Sequence, residues 1–113
     1  MKRGEVWWAN LPSPSGSEPG YPRPVVILQA DDLNQSKIQT VIVAILTTRT
    51  RLGAAPGNVS LPRGTGGLSS ESVINLSQVA TIDRRWLRER LGMLSQDYLI
   101  RINAGLQLIL GLD

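Results

Sequence analysis

The segment QTVIVAILTT, residues 39–48, constrains the fold most, because its aliphatic residues would cover both faces of a strand. A strand that is apolar on both faces lies inside a sheet that is itself covered on both sides. The segment is far shorter than the roughly 20 apolar residues that a membrane span needs. A second run of β-branched residues, RPVVILQA at 23–30, predicts a neighbouring buried strand. We therefore expect a mainly β fold.

Proline and glycine divide the rest of the chain into short elements. The pattern predicts strands over GEVWWANL (4–11), NVSLP (58–62) and SVINLSQVATI (72–82), a helical turn over DDLNQSKI (31–38), and a short charged helix over DRRWLRERL (83–91). Alternation in the strand at 72–82 puts Val73, Asn75, Ser77 and Val79 on one face and Ile74, Leu76, Gln78 and Ala80 on the other.

The final segment, SQDYLIRINAGLQLILGL at 95–112, has apolar residues at helical spacing. It predicts a helix that packs one stripe on the sheet, through Leu99, Ile102, Leu106, Ile109 and Leu110. Gly105 in this helix predicts a close contact. The whole order predicts one domain over residues 1–113: a small, partly closed barrel of about five to seven short antiparallel strands with a C-terminal helix.

The chain contains no cysteine and no histidine. This composition excludes disulfides and thiolate metal sites, and it removes the usual general base near neutral pH. A catalytic site here has to use arginine, lysine, carboxylates or hydroxyl groups. The N-terminal MKRGEVWW has the charged start of a signal peptide but no apolar segment behind it, which predicts a cytoplasmic protein.

Positive charge is concentrated in the middle of the chain. The net charge is only +3, but positions 34–69 contain no Asp or Glu. The cations in this region are Lys37, Arg49, Arg51 and Arg63. An acid-free basic region is typical of proteins with a polyanionic partner, and a solvated basic loop is the alternative interpretation.

Arg23 lies between two prolines, where the loop PSPSGSEPGYP (12–22) meets the second predicted strand. If this strand pairs antiparallel with the run at 39–48, Arg23 lies beside Thr47 or Thr48. A guanidinium next to a hydroxyl group is a good phosphate site, because the guanidinium forms charge-assisted, bidentate hydrogen bonds. Alternatively, Arg23 is a solvated cation after a turn, and threonine is simply common at strand ends.

These segments resemble the MazF/PemK family of type II toxin–antitoxin ribonucleases. The resemblance rests on KRGEVWWANL, GSEPGYPRPVVILQ, TVIVAILTT and SVINLSQVATIDRRWLRERLG, and it spans essentially the whole chain in order and spacing. It implies the small SH3-like barrel that this family shares with gyrase-poisoning plasmid toxins. It also implies a homodimer that needs no metal and no other cofactor, and that a cognate antitoxin inhibits.

The activity that the resemblance implies is sequence-specific cleavage of single-stranded RNA, with messenger RNA as the substrate and transfer or ribosomal RNA as alternatives. A 2′-hydroxyl would attack the adjacent phosphate and leave a 2′,3′-cyclic phosphate and a 5′-hydroxyl. Two other hypotheses stay open at this point. One is a non-catalytic toxin of the same fold that binds a protein such as gyrase, and the other is a decayed toxin that binds RNA or antitoxin without cutting.

By the same resemblance, the family's catalytic arginine falls on Arg23 and its catalytic threonine on Thr47, with Thr48 as an easily confused neighbour. Glu18 is interpreted as a candidate general base or as a contact to a base edge. The other RNA-binding candidates are Ser17, Gly20, Tyr21, Arg49, Arg51, Asn75 and Gln78. Some plasmid-borne members carry an arginine and an aspartate where this chain has Asn75 and Ser77, which puts more of the reaction on Arg23.

Single-stranded RNA is usually read by stacking and by contacts to base edges. The candidate stacking residues are Trp8, Tyr21 and Trp86. The alternative for the adjacent Trp7 and Trp8 is a place in the core or in a dimer interface.

Overall fold

The computed structural model describes residues 1–13, 16 and 21–112, and these residues form six antiparallel strands and a C-terminal helix. The strands are β1 (Glu5–Asn10), β2 (Pro22–Ile27), β3 (Thr40–Thr47), β4 (Val59–Leu61), β5 (Ser72–Asp83) and β6 (Leu87–Met93). The helices are α1 (Asp31–Asn34) and α2 (Gln96–Leu110), and 3-10 turns occupy Thr50–Ala54, Thr65–Gly67 and Arg84–Trp86. The sheet order β4-β5-β3-β2-β1-β6 confirms the predicted mainly β fold.

The sheet carries a hydrophobic core cluster on each face. Along β3, Ala44 and Leu46 belong to the first cluster, whereas Val43 and Ile45 belong to the second. Helix α2 covers the first cluster and contributes the fully buried Ile102. Partly buried residues border the second cluster, namely Met1, Trp7, Ala80, Trp86 and Leu87. Strand β3 is therefore an interior strand with both faces covered, as the apolar run at 39–48 predicts.

Strand β5 contains a bulge opposite the middle of β3. Asn75 pairs with Ile45 and Val79 pairs with Ala44, so residues 76–78 have no partner in β3. The insertion of three residues reverses the face to which the following side chains point, because side chains alternate along a strand.

The residues that β5 contributes to each core cluster show this reversal. Ile74 and Leu76, which lie before or inside the bulge, belong to the first cluster, whereas Ala80 and Ile82 beyond it pack in or against the second. Uninterrupted alternation would place all four on one face. The predicted alternation through 72–82 is therefore wrong beyond the bulge, which the sequence pattern does not reveal.

The predicted charged helix at 83–91 is wrong. These residues form the 3-10 turn Arg84–Trp86 and the first part of β6. Asp83 begins the turn by accepting a hydrogen bond from the Arg85 N–H, and the Arg84 guanidinium donates to three backbone carbonyls, two in α1 and one in β3. Strand β6 then pairs with β1. Strand pairing thus overrides the helix propensity of the arginines and glutamate in this segment.

Helix α2 packs on the sheet through part of the predicted stripe. Ile102 is fully buried, and Leu99 and Leu106 pack against the first cluster. Ile109 and Leu110 remain 39% and 56% exposed, so the packed stripe ends near residue 106. In the described part of the chain, no helix is long and apolar enough to cross a membrane.

Gly105 lies where α2 meets the segment before β4. A Cβ at this position would overlap the Gly57 carbonyl oxygen and a methyl group of Leu76. This contact agrees with the predicted close approach at Gly105, because only glycine lets the helix lie directly on the Gly57 backbone.

We predict that Gly105→Ala lowers the free energy of unfolding by about 2 kcal/mol, because the added methyl group forces α2 away from residue 57. Urea unfolding measures the effect. Helix propensity alone would stabilise this variant by about 1 kcal/mol. Ala104→Gly on the exposed side of α2 gives the scale of the propensity effect. A more stable Gly105→Ala variant would show that the contact is not close.

Glu5 is a buried carboxylate at the start of β1. It accepts hydrogen bonds from the Lys2 backbone N–H at 2.6 Å and the Trp7 indole at 3.2 Å, and it forms an ion pair with Arg90 at 2.7 Å. Burial alone would raise the pKa of Glu5. The hydrogen bonds from Arg90, Lys2 and Trp7 together outweigh burial and hold the pKa below its ordinary value of 4.5.

We predict that Glu5→Gln lowers the free energy of unfolding at pH 7 by about 1–3 kcal/mol, because an amide N–H₂ or a weaker acceptor then faces the Arg90 guanidinium. A carboxylate with a lowered pKa stabilises the fold above its unfolded pKa, and this stabilisation is lost as pH falls through the folded pKa. The difference between the two proteins should therefore shrink below about pH 4.5.

Urea unfolding between pH 3 and pH 7 tests this linkage, with the exposed Glu71→Gln as the control that removes the same charge. A difference between wild type and Glu5→Gln that stays constant with pH would contradict it. The pKa values of Asp31 and Asp83 are also lowered, mainly by hydrogen bonds from the Arg3 backbone N–H and the Arg85 guanidinium. Some acid sensitivity should therefore remain in the variant.

Candidate active site

The register of β2 and β3 aligns Arg23 with Thr47. Strands β2 and β3 pair antiparallel, as predicted, with Val25 opposite Ile45. Continuing this register by two residues puts Arg23 opposite Thr47. On its other side Arg23 pairs with Ala9 of β1. Residues opposite one another in a sheet point to the same face, so the Arg23 and Thr47 side chains share the face of the second cluster.

The Arg23 guanidinium has a buried donor, Nε, without a hydrogen-bond partner among the described residues. The ion pairs of the described part of the chain join Arg85 to Asp83 and Arg90 to Glu5, and neither includes Arg23. Buried polar atoms are normally hydrogen-bonded. A half-buried cation with an unsatisfied donor is suited to hold an anion.

The Thr47 hydroxyl has a defined orientation. Its Oγ1 accepts a hydrogen bond from the Arg49 backbone N–H at 3.2 Å, which leaves the hydroxyl hydrogen free to donate elsewhere. Thr47 is half-buried, whereas Thr48 lies beyond the end of β3 and is exposed. Since neighbouring side chains alternate, Thr47 and not Thr48 shares a face with Arg23.

Exposed arginines surround this end of the sheet. Arg49 and Arg51 are exposed at the Thr50–Ala54 turn, which begins three residues after Thr47. Arg63 follows β4, whose last residue pairs with the first residue of β5 at the same end. Lys37 lies near the opposite end, before the start of β3. Three of the four cations of the acid-free region therefore lie at the same end of the sheet as Arg23.

The β5 bulge adds polar groups to this part of the sheet. Asn75 is half-buried opposite Ile45, and its Oδ1 accepts hydrogen bonds from the Ser77 N–H at 3.3 Å and Oγ at 2.6 Å. Gln78 is half-buried in the bulge. Bulges are frequent next to active sites, because they redirect side chains away from a regular ladder. The register puts Asn75 on the Arg23 face, whereas the bulge itself carries Gln78.

Comparison with known proteins identifies the family. The model of the PemK-like, MazF-like toxins of type II toxin–antitoxin systems matches residues 2–110. The chain is 39% identical over 112 residues to the endoribonuclease MazF6 of Mycobacterium tuberculosis (strain H37Rv), covering 99% of this chain and 98% of that protein. The chain belongs to this toxin family.

Solved structures of MazF proteins have the same fold. The crystal structure of MazF from Deinococcus radiodurans matches with a TM-score of 0.80 and 26% identity, over 98% of this chain and 96% of that one. A mycobacterial endoribonuclease in complex with its cognate antitoxin matches with a TM-score of 0.79 and 24% identity, over 100% and 97% of the two chains. The chain thus has the MazF-type fold, a six-stranded antiparallel sheet with a C-terminal helix.

The loop of this MazF-like chain that precedes Arg23 is described only in part. The predicted site residues Ser17, Glu18 and Gly20 lie outside the described residues. Tyr21 is 57% exposed and has a positive φ of 63°, and its N–H donates to the Pro12 carbonyl at 3.2 Å. A non-glycine residue with this backbone conformation is strained, and such residues cluster at functional sites.

The tryptophans divide between the two faces of the sheet. Trp8 is 37% exposed and pairs with Pro24, next to Arg23. Trp7 packs against the second cluster and is bonded to Glu5. Trp86 also packs there and lines a cleft of about 210 Å³ with Leu11 and Ile45. Because side chains alternate along β1, Trp8 points to the face opposite Arg23, whereas Trp86 lies on the Arg23 face. Tyr21, exposed two residues before Arg23, is better placed than Trp8 to stack on a ligand there.

Two features of this site are missed by sequence reasoning. One is the β5 bulge, and the other is Asn58, whose side chain bonds both Leu52 of the Thr50–Ala54 turn and Leu76 of the bulge. An asparagine after glycine signals only a turn. Among the described residues, no three carboxylates are close enough to hold a metal ion.

Proposed function

We propose that this chain is an endoribonuclease toxin that cleaves single-stranded RNA at a short sequence, with Arg23 and Thr47 at the reacting phosphate. The observation that supports the proposal is the register of β2 and β3, whose continuation by two residues aligns a half-buried guanidinium with an unsatisfied Nε with a hydroxyl group that has a free hydrogen. Family membership and the curated relative named as an endoribonuclease support it.

The proposed reaction is an intramolecular transesterification. The RNA 2′-oxygen forms a bond to phosphorus while the bond from phosphorus to the 5′-oxygen breaks, which gives a 2′,3′-cyclic phosphate and a 5′-hydroxyl. A base takes the proton of the 2′-hydroxyl and an acid gives a proton to the leaving 5′-oxygen. The reaction needs no external nucleophile, so the protein mainly has to align the 2′-oxygen and to stabilise negative charge.

In this reaction, Arg23 holds the charge that develops on the non-bridging oxygens, and the Thr47 hydroxyl donates a hydrogen bond to one of them. Fixed donors of this kind are worth roughly 10²–10³ in rate each. Arginine stays protonated in proteins, so Arg23 is a poor base. Glu18 is the proposed base, and it lies outside the described residues.

Binding of the substrate is assigned to the surface around Arg23. Arg49 and Arg51 are exposed and contact backbone phosphates. Tyr21 stacks on a base, since every base has a π-face and its ring is exposed. Asn75 and Gln78 contact base edges from the bulged strand, and Ser17 and Gly20 complete the contacts from the loop.

The proposed assembly follows the family. The chain acts as a homodimer, and the protein partner that inhibits it is a cognate antitoxin, because the matched family is the toxin of a two-component system. The antitoxin would have to cover Arg23 and the arginines near it, since this region is where the RNA is proposed to bind.

We predict that the purified protein, free of antitoxin, cuts a long transcript at discrete positions in EDTA and leaves cyclic phosphates. Arg23→Ala should lower kcat/KM about 10²–10³-fold. The kcat/KM of Arg23→Lys should lie between those of the wild type and Arg23→Ala, because an ammonium group keeps the charge but not the bidentate hydrogen bonds of a guanidinium. Arg88→Ala, an exposed arginine of β6, is the control. Intact RNA with the wild-type protein would overturn the proposal, and growth arrest without cleavage would favour a protein target.

A second prediction separates the two threonines. Thr47→Val keeps the shape of the side chain but removes the hydroxyl group, and we expect kcat to fall about 10²-fold. Thr48→Val should change kcat less than about threefold, because Thr48 does not share the Arg23 face. Single-turnover cleavage of an oligoribonucleotide at saturating protein measures both. The opposite order would assign the active hydroxyl group to Thr48.

A further inference from the structure

Asn58 connects two parts of the candidate site that the strand ladder leaves separate. Its Nδ2 donates to the Leu52 carbonyl of the Thr50–Ala54 turn at 3.0 Å. Its Oδ1 accepts from the Leu76 N–H of the β5 bulge at 3.0 Å. One half-buried carboxamide therefore bridges the turn that presents Arg51 and the bulge that presents Gln78.

The hydrogen bond between Asn58 and Leu76 satisfies a backbone N–H of the bulge. Residues 76–78 have no partner in β3, yet the Leu76 side chain is fully buried in the first cluster. A buried backbone N–H without an acceptor is costly. The Asn58 oxygen satisfies this N–H, so the conformation of the bulge depends on the side chain at position 58.

The position of Asn58 is itself fixed by the core. The preceding residue, Gly57, lies directly against Gly105 of α2, and the following residue, Val59, is buried at the start of β4. The Asn58 N–H donates to the Ala55 carbonyl at 3.2 Å. The carboxamide thus joins a rigid platform to a turn whose arginines are exposed.

The Thr50–Ala54 turn is anchored in part by this connection. Arg49, at its N-cap, forms no side-chain capping bond, and the Arg49 N–H instead bonds the Thr47 hydroxyl. The Leu52 carbonyl receives the Asn58 side chain. The turn also has its own backbone bonds, from the Leu52 N–H to the Arg49 carbonyl and from the Ala55 N–H to the Leu52 carbonyl. The bonds of Thr47 and Asn58 connect this turn to β3 and to the segment before β4, and so help to place Arg49 and Arg51 relative to Thr47.

We propose that Asn58 is a positioning residue for RNA, acting by holding the Thr50–Ala54 turn at a fixed distance from the bulge. This inference rests on the proposed function. Asn58 touches no substrate; it places Arg49 and Arg51 so that they meet the phosphates next to the scissile one when that phosphate is at Arg23. Loss of the bridge lets the turn move and weakens RNA binding more than it slows the chemical step.

Two variants separate the contributions of hydrogen bonding and charge. Asn58→Leu is neutral, has a similar size, and loses both hydrogen bonds. Asn58→Asp keeps an acceptor for the Leu76 N–H but cannot donate to the Leu52 carbonyl. It therefore leaves the bulge N–H satisfied, and it replaces Asn58→Leu in the test if the leucine variant folds poorly. The matched control is Asn34→Leu, because Asn34 is also a bridging asparagine, bonded to Gln29 and Asp31, but at the opposite end of β3.

The assay uses an oligoribonucleotide centred on the strongest cut in a long transcript, and the same oligonucleotide with a 2′-deoxy nucleotide at that cut for binding. For Asn58→Leu and Asn58→Asp we expect KM to rise about tenfold, the factor set by one lost hydrogen bond, with kcat within about threefold. The slope of log affinity against log salt should fall in magnitude by about one, because a phosphate contact is lost. Asn34→Leu should lower the melting temperature without changing the KM or the slope.

A double-variant cycle checks the route of the effect. In an Arg49→Ala/Arg51→Ala background, Asn58→Leu should no longer change the salt slope, since the residues that it positions are gone. An additive effect, a normal KM and slope in both Asn58 variants, or an equal change in Asn34→Leu would overturn the inference. Absence of cleavage by the wild-type protein would instead count against the proposed function, and the salt slope for binding of the same long transcript would still decide the role of Asn58 in binding.

Discussion

Burial of β3 on both faces is the constraint on which the rest of the structure depends. Its alternate side chains enter two different core clusters, so each face has to be covered by another element. Helix α2 covers one face, and residues around Trp86 cover much of the other. A slip of one residue would exchange the two faces, and this cost fixes the register with β2. The same register, continued by two residues, aligns Arg23 with Thr47, so packing of the core constrains the geometry of the candidate site.

The two ends of β3 differ in how completely their polar groups are satisfied. At the Thr40 end, the Arg84 guanidinium bonds three backbone carbonyls, and Gln29 and Asn34 form a buried hydrogen-bonded pair. At the Thr47 end lie an arginine with an unsatisfied Nε, a tyrosine with positive φ, and a three-residue bulge. Local departures from ideal structure are stable only where the surroundings hold them. The regular end and the core provide that support.

Most of the sheet and the central pair of the site can be predicted from the sequence, because both follow from strand periodicity. The apolar run at 39–48 predicts an interior strand, and antiparallel pairing with the run at 23–30 then brings Arg23 to the threonines. The segment at 83–91 is predicted wrongly, because its arginines and glutamate favour a helix locally while the free edge of β1 provides a strand partner. The bulge in β5 is also missed, because apolar residues occur on both sides of it and the alternation continues unbroken in the sequence.

The lack of histidine and cysteine makes geometry more important for the proposed reaction. Without these residues, the chain has no side chain whose ordinary pKa lies near neutral pH, so efficient proton transfer is hard to achieve. Rate enhancement must then come mainly from alignment of the 2′-oxygen and from fixed donors at the phosphate, and both fall steeply when groups move by about 1 Å. An active site of this kind depends on rigid neighbours. The contact of Gly57 with Gly105 and the carboxamide of Asn58 supply that rigidity, because they join the arginine-bearing turn to the helix and to the bulged strand.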